Sequence, residues 1–251
     1  MVNKARTLAI VGYGDLGARV LRRLDRARWH GVGLCRSPDK VEPPGRGVAT
    51  DLTQPDSLRV LGELVPDAVL LTLTPTDRSE RGYRQGFSEA MNNIIAGLAG
   101  HQPSCMMFVS STRVYGESAG AWVQEDAELA SEPRARAIID AEASLQAYAR
   151  HSIVLRAGGL YSAPPGFLLS RVAQGRFTAR EPRRFGSRVH REDVARFIEA
   201  CLNDAPPERA SDPEPVAHKR VSNSRLRSLG FELHYPSYLE GYGDALARQL
   251  D

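Results

Sequence analysis

The chain has almost no lysine. Lys4, Lys40 and Lys219 are the only three, so nearly all of its 33 basic residues are arginine. No lysine follows a tyrosine at a spacing of four: Arg36 holds that place before Lys40, Pro215 before Lys219, and Lys4 has no residue there. Cysteine is sparse as well. Cys35, Cys105 and Cys201 are far apart, with no CxxC pair and no histidine cluster at ligand spacing. Reduced, mostly buried thiols and no structural metal are expected. No apolar run approaches a membrane span, and the run in "MVNKARTLAIVGYG" reaches glycines without a cleavage pattern. A net charge of +3 is too small to point to nucleic acid, and no basic stripe interleaved with aromatics is present. The expectation is a soluble, cytoplasmic protein that binds small molecules, with neither nucleic acid nor a membrane as partner.

What is present is an alternation of strands and helices. At 251 residues the chain can bury one large core, with a small lobe appended. Short apolar runs at 7–11 ("TLAIV"), 31–36, 67–75 ("DAVLLTLTP"), 104–112 ("SCMMFVSST") and 151–161 read as strands buried on both faces, with a shorter one at 47–52. Helical patterns fall between them, at 83–98 and around 134–150. This order predicts an α/β fold with a doubly wound parallel sheet. Beyond residue 161 the pattern loosens, with proline pairs at 164–165 and 206–207. A single domain over 1–251 is expected. Residues 1–160 would form its dinucleotide-binding part and 161–251 a smaller substrate-side lobe, from which the 188–200 helix returns to the core.

The stretch "IVGYGDLGARVLRRL" carries the first chemistry. A GxGxxG pattern is weak alone, but here it closes a strand and opens a helix. In that setting Gly12 permits the tight turn, Gly14 lets a pyrophosphate approach the backbone, and Gly17 lets helix and strand pack closely. Tyr13, Asp15 and Leu16 complete the turn, and the helix N-terminus attracts the anion. An NAD-binding turn usually has Asp or Glu at the end of the second strand; here that place holds Cys35, Arg36 and Ser37. Arg36 can offer a charge-assisted fork to a 2′-phosphate and Ser37 a hydroxyl, so NADP is expected over NAD. The competing reading of Arg36 is a solvated surface charge.

At "FVSSTRVYGE" (108–117), downstream of the glycine turn and of "DL" at 51–52, the chain resembles the extended short-chain dehydrogenase/reductases, the NAD-dependent epimerase/dehydratase family. "VLRAGGLYS" (154–162) and "RVHREDVARFIEA" (188–200) agree with that family's later segments, and the overall pattern is most similar to its YeeZ-like branch. The resemblance implies an NAD(P)-binding Rossmann fold, with Asp51 and Leu52 against the adenine. Thr72, Leu73 and Thr74 would run along the cofactor, and Ser111 would face the substrate. It also implies a homodimer through the helices after the fourth and fifth strands. A hydroxyl at the carboxyl end of a central strand suits Ser111 to donate to a substrate carbonyl or oxyanion, although a turn-capping role fits it equally.

The family's tyrosine and lysine, four residues apart, are missing. Alignment through Glu142 in "PRARAIIDAE" puts Arg134 at the tyrosine position and Ile138 at the lysine position. Arginine stays protonated and is no proton shuttle, but Arg134, and Arg136 beside it, can hold a carboxylate or phosphate. The implied substrate is an unidentified small molecule, and the arginines suit an anionic one. Tyr115, Tyr148 and Tyr161 are candidate proton donors, none with a lysine partner, while His190 suits packing and a helix start. Glu125, Asp126 and Glu128 read as surface charge. The resemblance further implies a C-terminal lobe shortened between the 193–203 helix and "NSRLRSLGF", with aromatic residues at 231–242 packing as core. Two readings stay open: an oxidoreductase or sugar-nucleotide-type epimerase/dehydratase without the usual pair, and a catalytically inactive dinucleotide sensor or protein-interaction module.

Overall fold

The structure, a computed structural model, describes residues 5–117, 119, 121–162, 174, 187–203, 219–236, 240 and 242, with the backbone alone at 219–220. The chain forms two compact units, one of residues 1–114 and 130–156, the other of 115–129 and 157–251. Among the described residues the strands are β1 (Arg6–Val11), β2 (Trp29–Cys35), β3 (Arg46–Ala49), β4 (Ala68–Leu71), β5 (Cys105–Ser111), β6 (Ala121–Val123), β7 (Ser152–Ala157), β8 (Gly159–Tyr161), β9 (Arg188–His190) and β10 (Lys219–Val221). The helices are α1 (Asp15–Arg23), α2 (Val60–Leu64), α3 (Glu80–Arg84), α4 (Ala90–Gly97), α5 (Pro133–Tyr148), α6 (Arg191–Asn203) and α7 (Ser224–Ser228).

The first unit is built on a six-stranded sheet in the order β3-β2-β1-β4-β5-β7. Its β1–β2, β1–β4, β2–β3 and β4–β5 pairs are all parallel. The order reverses between β1 and β4, which creates the crevice at the carboxyl ends of the strands where doubly wound sheets hold ligands. Leu8–Val11 and Ala68–Leu71 are essentially inaccessible, as continuous apolar runs covered on both faces require. Each such leucine or isoleucine stabilises the fold by about 1.5–3 kcal/mol relative to exposure. This is the Rossmann-like architecture expected.

Several boundaries differ from the expected ones, each for a local reason. The 67–75 strand stops at Leu71, because the Thr72 hydroxyl donates to the Gly12 carbonyl at 2.8 Å and takes the chain out of the ladder. The 47–52 strand ends at Ala49, since the Asp51 carboxylate accepts the Thr53 N–H (2.9 Å) and hydroxyl (2.8 Å) and makes a turn. The helix expected at 83–98 starts at Glu80, where the Ser79 hydroxyl accepts the Gly82 N–H as an N-cap. It then widens into a π turn over Gln85–Glu89 before α4. The 151–161 strand is two strands in different sheets, β7 and β8, broken at Gly158.

In the second unit β8 pairs with β9 and β6 with β10, both parallel. β10 lies in the segment before "NSRLRSLGF", where the sequence carries no strand pattern. In the same unit α6 carries Asp193, 1% exposed, whose carboxylate accepts the backbone N–H groups of His234 (2.7 Å) and Tyr235 (2.9 Å) and pairs with Arg196 at 3.1 Å. His190 Nδ1 accepts the Glu192 N–H, a helix-start bond that fits the packing role expected for it. Tyr161, His190, Tyr235 and Tyr242 stack with ring centroids 4.0–5.0 Å apart. The proline pairs at 164–165 and 206–207, and Tyr238, lie outside the described residues.

Candidate functional site

The glycine turn separates three tasks among its three glycines. Gly12 has φ +82°, and a Cβ there would stand 2.7 Å from the Thr72 carbonyl oxygen, so both conformation and crowding require glycine. Gly17 lets α1 lie on β1, for its Cβ would meet Ile10 Cγ2 at 2.9 Å and the Tyr13 ring at 3.2 Å. Gly14 is different. Its φ of −140° suits any residue, and a Cβ there would find nothing closer than the Gly12 carbonyl oxygen at 3.8 Å. Among the described residues nothing packs closely on position 14, so glycine there leaves the exposed start of α1, which has no side-chain cap, open to a ligand.

The remaining cofactor candidates surround that opening. The Tyr13 ring is buried against Gly17 and Gly33, so the tyrosine supports the turn from beneath, and burial pushes its phenol pKa up. Leu16 is buried in α1, and exposed Asp15 pairs with Arg19 at 3.1 Å. Arg36 and Ser37 are exposed just past β2. The Thr53 N–H and hydroxyl hold the Asp51 carboxyl below its ordinary range, and the nearby Arg36 charge adds to this. Leu52 offers its carbonyl to Asn93 at 2.9 Å, and Thr72 bridges β4 to Gly12. Leu73 is buried and Thr74 exposed. Gly86 lets the helix after β4 close on Thr74, since a Cβ there would clash with its carbonyl oxygen. The residues present fit a dinucleotide.

At the carboxyl end of β5, Ser111 Oγ accepts the Arg113 N–H at 3.2 Å, the turn-capping bond considered for it. Its own proton has no acceptor among the described residues, which leaves the hydroxyl able to donate. Arg134 stands in the first turn of α5, with Nε 3.8 Å from Glu132. Ile138, one turn further on, is 1% exposed in the core, an environment closed to an ammonium group. The candidate proton donors are differently occupied. The Tyr148 hydroxyl donates to the His101 carbonyl at 2.5 Å, and burial raises its pKa. Burial, reinforced by Asp193, pushes Tyr161 up to about 12, opposite to what forming a phenolate needs.

Two features here went unread in the sequence. Glu142, 3% exposed, accepts the Ser110 hydroxyl at 2.5 Å and pairs with Arg156 Nη2 at 2.8 Å, tying α5 to β5 and β7. Glu142 had served only to anchor an alignment, and its burial is invisible without the helix's orientation. The second is Arg113, which reaches Glu132 at 3.6 Å while lying over the Tyr83 ring. It sits inside the quoted "FVSSTRVYGE", so the signal was present.

A doubly wound sheet with an open, glycine-built phosphate turn at its first crossover defines a dinucleotide-binding protein. The chain belongs to the NAD(P)H-binding family, whose sequence profile matches residues 12–205. No curated protein matches its sequence. Among solved structures it is similar to a Methylobacillus flagellatus protein provisionally described as an NAD-dependent epimerase/dehydratase, at 29% identity and TM-score 0.80, over 99% of this chain and 100% of that one. A conserved protein of unknown function from Silicibacter pomeroyi is 24% identical, with TM-score 0.70 over 97% and 99% of the two chains. UDP-glucuronic acid 4-epimerase from Bacillus cereus, solved with NAD, shares the fold at 14% identity and TM-score 0.74, over 98% and 100%. Among the described residues no helix is long and apolar enough to cross a membrane, and no histidine, cysteine and carboxylate cluster could hold a metal.

Proposed function

We propose that the chain is an NADP-preferring oxidoreductase or epimerase/dehydratase that acts on a small anionic substrate without a tyrosine–lysine pair. The observation that carries this is Gly14, an N-cap glycine beside the crevice against which no described residue packs. Bound there, a nicotinamide dinucleotide would supply the carbon that gives or takes hydride. The first-turn N–H groups of α1 hold its pyrophosphate, and Arg36 and Ser37 take the 2′-phosphate. Asp51 and Leu52 border the adenine, and Thr72, Leu73 and Thr74 run along the cofactor. Ser111 donates a hydrogen bond to the substrate carbonyl, where negative charge grows in the transition state. Arg134 holds substrate charge without moving a proton.

The second reading, a dinucleotide sensor without catalysis, is favoured by Ile138, which leaves no place for the lysine. NADPH and NADH titrations of the wild type and of Arg36→Ala test the cofactor assignment. Loss of one charge-assisted fork should weaken NADPH about tenfold or more and leave NADH unchanged. Tighter NADH than NADPH in the wild type would overturn the preference. NADPH binding without turnover on aldehydes, ketones and sugars would favour the sensor.

A further inference from the structure

Glu132, the N-cap residue of α5, stands between two arginines that both approach it without closing on it. Arg113 Nη1 is 3.6 Å from one carboxylate oxygen and Arg134 Nε is 3.8 Å from the other, whereas a charge-assisted hydrogen bond closes to about 2.7–2.9 Å. Neither guanidinium donates a hydrogen bond to a described residue, and all three side chains are nearly half exposed. Among the described residues, the one hydrogen bond that the Glu132 carboxylate accepts, at 3.2 Å, comes from the Arg134 backbone N–H at the positive end of a 16-residue helix. Arg113 is held from two sides. Its backbone N–H bonds Ser111 Oγ, and its guanidinium lies 5.5 Å from the centre of the Tyr83 ring, itself packed on Phe87.

We propose that Arg113 and Arg134 form an oxyanion clamp for the substrate, and that Glu132 is a built-in competitor which the substrate's phosphate or carboxylate displaces. This rests on the reading of Ser111 as the hydroxyl that meets the substrate. Exposed ion pairs as loose as these stabilise the fold very little, so releasing Glu132 costs little. An incoming oxyanion gains two guanidinium forks and the Arg134 N–H at the helix start. Arg113 is also the residue whose backbone N–H bonds Ser111 Oγ, so the clamp is joined through one turn to the hydroxyl that would meet a carbonyl of the same small molecule. The substrate class is therefore a carbonyl or hydroxyl compound with a phosphate or carboxylate a few bonds away.

The test is calorimetric titration of the NADPH-saturated protein with inorganic phosphate and, separately, with malonate, at fixed ionic strength. Glu132→Gln keeps an oxygen to cap α5 and removes the charge, so it should tighten the preferred probe about tenfold. The double variant Arg113→Gln/Arg134→Gln should abolish binding of both probes, while NADPH affinity and the unfolding midpoint stay near wild type. Preference for phosphate identifies a phosphate ester and preference for malonate a carboxylate; either pattern supports the clamp. Unchanged or weaker binding in Glu132→Gln, retained binding in the double variant, or no probe binding by a wild type that binds NADPH would overturn it. Failure to bind NADPH would instead sink the cofactor reading, and the same titrations on the unliganded chain would still decide the clamp.

Discussion

At the β1–α1 turn the proposed binding surface is backbone, and at the β5–α5 end of the same sheet it is side chain. Around Gly12, Gly14 and Gly17 the chain offers amides and the space that missing Cβ atoms leave. Around Ser111 it offers a hydroxyl, Arg113, Arg134 and the carboxylate between them, on a strand and helix that the Ser110–Glu142–Arg156 network ties together. A backbone site depends on a few glycines at fixed spacing. A side-chain site depends on which residues the helix and strand turn toward one another.

The largest expected effect is at the side-chain end. Glu142→Ala strips a buried carboxylate from Arg156 and Ser110 and should cost about 3–5 kcal/mol, read from urea unfolding. A loss below about 1 kcal/mol would mean that the network is replaceable and that the two ends differ less than described.

At the backbone end, Gly17→Ala gains about 1 kcal/mol of helix propensity but drives a methyl into Ile10 and Tyr13, which costs about 1–3 kcal/mol. A net destabilisation near 1 kcal/mol is expected, with α1 displaced in a crystal structure of the variant. A stabilised variant would show that the helix is free to shift, and the turn would then be a looser cradle.

The smallest effect lies in the second unit. The Tyr161 pKa is raised from 10.0 to about 12, so the stability it contributes is full below pH 10 and is lost as pH rises through about 12. Tyr161→Phe should flatten that alkaline decline and leave the part due to Cys105 in the first unit, raised from 9.0 to about 11. An unaltered decline would place the alkaline weakness in the first unit alone.

The same contrast decides what could be read in the sequence. β1, β4 and β5 were legible because burial on both faces demands unbroken apolar runs, and the glycine turn because its spacing is set by backbone geometry. The break at Gly158 was not, since one apolar run serves two sheets equally well until the partners are known. β10 escaped because three residues with two charges carry no strand period. Asp193 and Glu142 look like any helical acid, and only packing shows that each is buried and paired. Arg134 was found by its displacement of an expected tyrosine, whereas Arg113 required the turn that folds it back toward Glu132.

The most direct measurement is an NADPH titration of the wild type and Gly14→Ala, with thermal unfolding of both followed in parallel. Beyond its chain neighbours, a methyl at 14 meets no described residue closer than 3.8 Å, so the unfolding midpoint should fall only by the small cost of replacing a favoured N-cap residue. In the proposed site the same methyl would crowd the pyrophosphate, so NADPH affinity should fall about tenfold or more. A variant that binds NADPH as well as the wild type does, or a wild type that binds neither NADPH nor NADH, would contradict the assignment of this turn as a dinucleotide site.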